Sequence, residues 1–185
     1  MLSCAPAPGS ATAQEGLPLE TEHVIEGFVG EWQRIGAAQD DPARHAAIER
    51  GVRGLSWLFR SLANTTLRRS TTPPDSLAFE RDALGLRRHV PGRNPPPMRF
   101  DGLPHRVDSS EGLVTTRWVV GDGRIETHWE QAQARGVDVY RLSADGARLV
   151  VDSVIEILAV SGAEPIRYRA RFARRVPADV AAAPQ

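Results

Sequence analysis

From Ser76 onward the chain is a succession of short segments with strand-like alternation, each stopped by turn-forming residues, and no other feature narrows the choice of fold so far. The segments read SLAFERD, LGLRRHV, LVTTRWVV, RIETHWEQA, VDVYRL, ARLVVDSVIEI and PIRYRARFARR. Between them lie Asp101-Gly102, Gly121-Asp122-Gly123, a break at Arg135-Gly136, the turn Ala144-Asp145-Gly146 and a break at Ser161-Gly162. The consecutive prolines at 95–97 remove backbone donors and exclude a helix there. Connections this short make successive strands hairpin neighbours, which gives an antiparallel meander. A meander of about eight to ten strands keeps two unpaired edges unless it curls shut, so the expected fold is mainly β, an antiparallel up-and-down β-barrel. A barrel of that size is filled by side chains or holds one small ligand.

Upstream of the meander the pattern differs. His23 to Ile35 carries Val24, Phe28, Val29 and Trp32 with glycines at 27 and 30, and is predicted to be a first strand entering the barrel floor. Asp40-Asp41-Pro42 then supplies an N-cap followed by proline in a first helical turn. Behind it Ile48, Val52, Leu55, Phe59 and Leu62 recur at four- and three-residue steps, one apolar stripe on a single amphipathic helix over roughly 42–64. The chain therefore divides into a leader at 1–22, a barrel domain at 23–176 with a helical cap inserted after the first strand, and a tail at 177–185.

Strand parity indicates what faces inward. In the last strand Ile166, Tyr168, Ala170 and Phe172 share one face, and Arg167, Arg169 and Arg171 share the other. In ARLVVDSVIEI the face Leu149, Val151, Ser153, Ile155 and Ile157 opposes Arg148, Val150, Asp152, Val154 and Glu156. Inward polar positions are Ser153, Thr116 or Thr115, and His128 or Thr127, depending on register, because a one-residue slip inverts every assignment. The interior candidates for ligand contact are Trp32, Phe59, Trp118, His128, Tyr140, Ser153, Tyr168 and Phe172.

Gly30-x-Trp32 on the first strand of a meander that ends in an arginine-bearing strand resembles the lipocalins and, more broadly, the calycin superfamily. The resemblance implies that Trp32 closes the barrel floor behind Gly30 and that an arginine of the last strand packs over it. The resemblance leaves Arg167, Arg169 and Arg171 open as that arginine, with Arg169 taken as the closure residue; a guanidinium can stack on indole while it bonds to nearby carbonyls. A helix after the first strand is closer to the fatty-acid-binding proteins, which use a helix pair there, whereas the stripe supports one helix. The phrase YRLSADGARLVVD resembles the strand-turn-strand of bacterial lipocalin-like lipoproteins and domains of unknown function. The resemblance implies a fold and leaves the ligand open; the closed meander and its lid suggest a small hydrophobic ligand, and no cofactor is expected.

Composition excludes some functions. With 23 basic and 23 acidic residues in 185 there is no net charge to draw the chain onto nucleic acid, and its paired arginines lack interleaved aromatics. All the basic residues are arginine, which a GC-rich coding bias explains. The single cysteine, Cys4, allows no intramolecular disulfide and no thiolate metal cluster. Cys4 opens a leader of small residues and so resembles the lipid-bearing start of a bacterial lipoprotein, although only Met1, Leu2 and Ser3 precede it. Both a cell-envelope lipoprotein, with membrane contact through that lipid, and a cytoplasmic protein fit the leader.

The five histidines are not paired at ligand spacing, so no metal site is expected. Glu126, His128 and Glu130 share a strand face without a serine or cysteine placed to act as nucleophile, so no catalytic residue is named and a binding protein is favoured over an enzyme. The expected function is non-catalytic binding of an apolar or amphipathic ligand inside the barrel. The alternative is a solid barrel that docks on a partner through its helix or its arginine-rich outer face.

Overall fold

The computed structural model describes residues 18–83, 85–109, 112–158 and 162–175; Cys4, most of the leader and the tail at 177–185 lie outside them. The chain runs α1 (Leu19–Phe28), β1 (Gly30–Ile35), α2 (Ala37–Gly51), α3 (Trp57–Ser70), β2 (Ser76–Asp82), β3 (Gly85–His89), β4 (Met98–Arg99), β5 (His105–Ser109), β6 (Gly112–Gly121), β7 (Arg124–Gln131), β8 (Ala134–Leu142), β9 (Arg148–Ile157) and β10 (Ile166–Arg174). The ten strands form one antiparallel sheet in the order β4-β3-β2-β1-β10-β9-β8-β7-β6-β5. First and last strands pair, Trp32 opposite Arg174 and Ile35 opposite Arg171, and the sheet curls into a half-barrel. The end strands β4 and β5 do not pair with each other, so a seam stands where full closure was expected; β4 is held only at Gly85↔Arg99 and Leu86↔Met98. Pro95 to Pro97, with no donors to offer, precede β4 and keep it short.

Residues 19–28 are helix, where the sequence predicted the end of the leader at 19–22 and the start of the first strand at 23–28. Glu20 and Glu22 occupy the first turn, where the helix dipole favours anions, and Ile25 and Phe28 are fully buried one turn apart. Gly27 had suggested a strand; its role is to clear the Leu142 side chain, which a Cβ would approach at 3.0 Å. The helical cap is likewise a pair rather than one helix. Helix α2 starts at Ala37 behind Gly36 in a left-handed conformation, so Asp40 and Asp41 are not its caps. Both point back to the barrel rim: Asp40 binds Arg171 at 2.6 Å, and Asp41 binds Arg34 at 2.6 Å and Arg44 at 3.4 Å. The predicted apolar stripe divides at the break after Gly51. Ile48 and Val52 are fully buried, whereas Phe59 and Leu62 on α3 stand 62% and 66% exposed beside Trp57 and Leu58. Gly51 lets α2 settle on β10, since a Cβ there would meet Ile166 Cγ1 at 2.6 Å.

Register fixes the inward faces. Across the barrel wall Thr127, Asp138, Ser153 and Tyr168 are successive cross-strand neighbours, and so are Trp129, Gly136, Ile155 and Ile166. Gly136 lies inside β8, not at a break: a Cβ would come within 2.5 Å of the Trp129 ring, and the turn is at Ala132-Gln133. One apolar cluster, including Ile25, Phe28, Trp32, Phe79, Leu86, Trp118, Ile125, Leu149 and Phe172, fills the α1 end. A smaller one, Ala47, Ile48, Ile155 and Ile166, seats α2 at the other end.

At the floor the arginine over Trp32 is Arg174, not Arg169. The Arg174 guanidinium carbon sits 4.3 Å from the indole centroid, and its nitrogens donate to the carbonyls of Val29 (2.7 Å), Gly27 (2.6 Å) and Gly146 (3.0 Å). Arg169 has outward parity and pairs on the surface with Asp152 at 2.6 Å. Gly30, at φ 130°, makes the turn from α1 into β1, and a Cβ there would lie 2.9 Å from the Arg174 guanidinium. Replacing Arg174 by Met is expected to cost about 3 kcal/mol, because buried carbonyls lose charged donors and the indole its cation. Arg169→Met should cost less than about 1 kcal/mol, as exposed ion pairs do. Urea denaturation of the two variants measures the difference.

Candidate ligand cavity

Between the packed floor and the helix pair the barrel is not filled. A cavity of about 200 Å³ is bounded by Leu77, Val90, Val151, Ala170 and Phe172 on its apolar side and by Arg88, Asp138, Tyr140, Ser153 and Tyr168 on its polar side. Its mouth lies between the α3–β2 connection, with Thr71 and Pro73, and the β3–β4 connection, with Arg93 and Pro95. A second space of about 320 Å³, reaching Leu67, Trp129 and Ile155, shares Ser70, Thr71, Arg93, Asp138 and Tyr168 with the first. The two meet at Asp138.

The polar side is built by strand parity. Arg88 follows Leu86 on the inward face of β3 and reaches across the barrel, where its Nη1 donates to the Tyr140 hydroxyl at 2.5 Å. Asp138 and Tyr140 alternate on the inward face of β8, and the Ser153 hydroxyl donates to Asp138 Oδ1 at 2.6 Å. Among the described residues Arg88 Nε is buried without a hydrogen-bond partner, as are Arg34 Nε and the Thr127 hydroxyl outside the cavity lining. Burial raises the Asp138 carboxyl above its ordinary range, against the Ser153 bond, the Arg88 charge and the Trp129 indole. Burial also raises Tyr140, with Arg88 opposing, and raises Tyr168, so both phenols stay neutral.

Of the interior candidates named from sequence, Tyr140, Ser153, Tyr168 and Phe172 line this cavity. Trp32 and Trp118 are buried in the packed lower core. Phe59 is not in the interior; it stands on the exposed face of α3, because the chain breaks after Gly51 and α3 packs only weakly on α2. His128 is not in the interior either. Ile125 and Thr127 take the inward positions of β7, so His128 faces out and bonds Glu126 at 3.0 Å, where Arg124 and His128 hold the Glu126 carboxyl below its usual value. Arg88 and Asp138 were missed. Their signal was parity: Arg88 falls two positions from Leu86, and Asp138 two from Tyr140. Among the described residues no cluster of three or more His, Cys, Asp or Glu offers a metal site, and no helix is long and apolar enough to cross a membrane.

Asp138 also makes a stability prediction. Its native pKa is above the unfolded value, so the fold binds a proton more tightly than the unfolded chain, and stability falls as pH rises through the native pKa. Asp138→Asn should therefore raise the melting temperature most at high pH, and by progressively less as the pH falls through the native pKa of Asp138. A constant difference from about pH 8 down to about pH 4, the ordinary carboxylate value, would contradict a raised carboxyl.

No protein-family model matches the sequence, and no curated protein matches it. Solved structures do match. A secretory abundant heat soluble protein from Ramazzottius varieornatus superposes with a TM-score of 0.51 at 10% identity, over 80% of this chain and 96% of that one. Echinococcus granulosus fatty-acid-binding protein 1 matches at TM-score 0.47 and 11% identity, over 82% and 99% of the two chains. Human cRBP IV matches at TM-score 0.49 and 13% identity, over 80% and 98%. At these identities the likeness concerns the backbone and not the site. The ten-stranded curled sheet, the helix pair after β1 and the tryptophan–arginine floor give this chain the calycin fold.

Proposed function

We propose that the protein binds a small amphipathic molecule in the barrel, without catalysis. The observation that carries this reading is the cavity itself: a half-open space beside the α3–β2 connection with one apolar wall and one polar wall, in which Arg88 Nε is buried without a partner. A barrel serving only as a scaffold would gain stability by filling that space with apolar side chains, as the floor does. A polar wall that leaves Arg88 Nε without a partner is better explained by a guest that completes it. The calycin fold agrees with the reading, and the name of the Echinococcus neighbour states that it binds fatty acids.

The alternative, docking through the helical cap, has one supporting observation: the face Trp57, Leu58, Phe59 and Leu62 of α3 is exposed. It does not account for the polar interior.

Native mass spectrometry before and after delipidation tests the reading, together with titration of the neutral dye Nile red. Expected are a removable small-molecule mass and saturable dye uptake. Ala170→Phe should weaken uptake at least about tenfold, since Ala170 is buried against the cavity and a ring there fills it. A bare mass with no uptake, or equal uptake by the Ala170→Phe variant, would place the function elsewhere.

A further inference from the structure

The two charged side chains deep in the cavity, Arg88 and Asp138, are of opposite sign and do not pair with each other. Arg88 spends one nitrogen on Tyr140, and Asp138 takes the Ser153 hydroxyl. The polar side therefore brings one guanidinium and one titratable carboxyl to the same small space, without direct contact between them. A head group that enters meets both. An anion is drawn to Arg88 and repelled by Asp138, whereas an alcohol or amide can accept from the guanidinium and donate to the carboxylate. The low dielectric of the enclosure makes the repulsion count for more than it would in water. We propose that Asp138 is the specificity-determining residue of this cavity: its negative charge selects a neutral amphiphile with a hydroxyl or amide head and excludes anionic ones. The proposal rests on the reading of the barrel as a binding site and goes further by naming the ligand class.

The groups that face Asp138 make it the controlling charge. Tyr140 on its own strand and Tyr168 on β10 have raised pKa values and stay neutral. Arg88 on β3 and Arg93 at the mouth line the same space, and the charge of Arg44 on α2 reaches Tyr168. Burial raises the Asp138 pKa above its ordinary value, so lowering the pH removes its negative charge and leaves the guanidinium groups unopposed.

Two probes of equal chain length and pH-independent charge test this: decanol and decyl sulfate, each displacing Nile red from the full chain and from the Asp138→Asn variant. In the unmodified protein at about pH 8, decanol is expected to bind at least about tenfold more tightly than decyl sulfate. Asp138→Asn should tighten decyl sulfate relative to decanol at least about tenfold. In the unmodified protein, lowering the pH through the titration of Asp138 should tighten decyl sulfate relative to decanol, and the variant should show no such dependence. Decyl sulfate binding as well as decanol, unaltered by the substitution or by pH, overturns the assignment while leaving the binding site in place. If neither probe displaces the dye, or no dye binds, the reading of the barrel as a binding site fails and the inference with it.

Discussion

Arg174 is the contact on which the rest of the barrel depends. One guanidinium covers the Trp32 indole and bonds to carbonyls at the end of α1, at the α1–β1 turn and at the β8–β9 turn. The Trp32 indole in turn donates to Phe28 at 3.0 Å. First strand, last strand, floor helix and a distant hairpin are therefore joined at one place. A sheet whose end strands do not pair needs such a joint, because the β1–β10 pairing is what brings the two ends of the chain's meander together. Gly-x-Trp is the local sequence of this joint: the glycine makes room for the arginine and turns the backbone, and the tryptophan provides the surface.

From the floor upward the packing loosens in steps. The lower barrel is filled by large apolar side chains. At mid-height the filling changes to the polar layer of Arg88, Asp138, Tyr140, Ser153 and Tyr168, and the space opens. Above it α2 is pinned to the rim by Asp40–Arg171 and by Asp41 between Arg34 and Arg44, while Arg44 also donates to the Arg68 carbonyl and the Thr71 hydroxyl at 3.0 Å. Helix α3 buries no residue fully, and Arg68–Glu49 is a surface pair. Few buried contacts hold α3, so it is the cap element that can move at least cost.

The sequence reported the meander, the position of the floor tryptophan and the parity of β9 and β10 correctly, because alternation and short turns are local and repeated. What it hid has separate causes. Helix α1 was obscured by Gly27 and by valines that suit strands, and its helicity is decided by the burial of Ile25 and Phe28 against the floor. The helix pair was obscured because one stripe runs through Gly51 and Gly54, and only the seating of Gly51 on Ile166 decides where it stops. Arg174 was legible: an arginine that covers an interior tryptophan must share the parity of Ile166, Tyr168, Ala170 and Phe172, and Arg167, Arg169 and Arg171 do not.

Asp138 is the most instructive miss. In Val137-Asp138-Val139-Tyr140 the apolar rule turns the valines inward and the acid outward, yet the register with β7 and β9 turns Asp138 and Tyr140 inward. Local pattern and global register disagree here, and the cost is a desolvated carboxyl and an arginine with an unpaired nitrogen. Such conflicts persist at sites that do something other than stabilise the fold. The height of this conflict also dictates orientation. Along β10 the inward side chains run Arg174, Phe172, Ala170, Tyr168 and Ile166 from floor to cap, so Asp138, Ser153 and Tyr168 lie on the cap side of Leu77, Val151 and Phe172. A guest in this cavity would therefore turn its apolar part toward the floor and its polar group toward the helix pair.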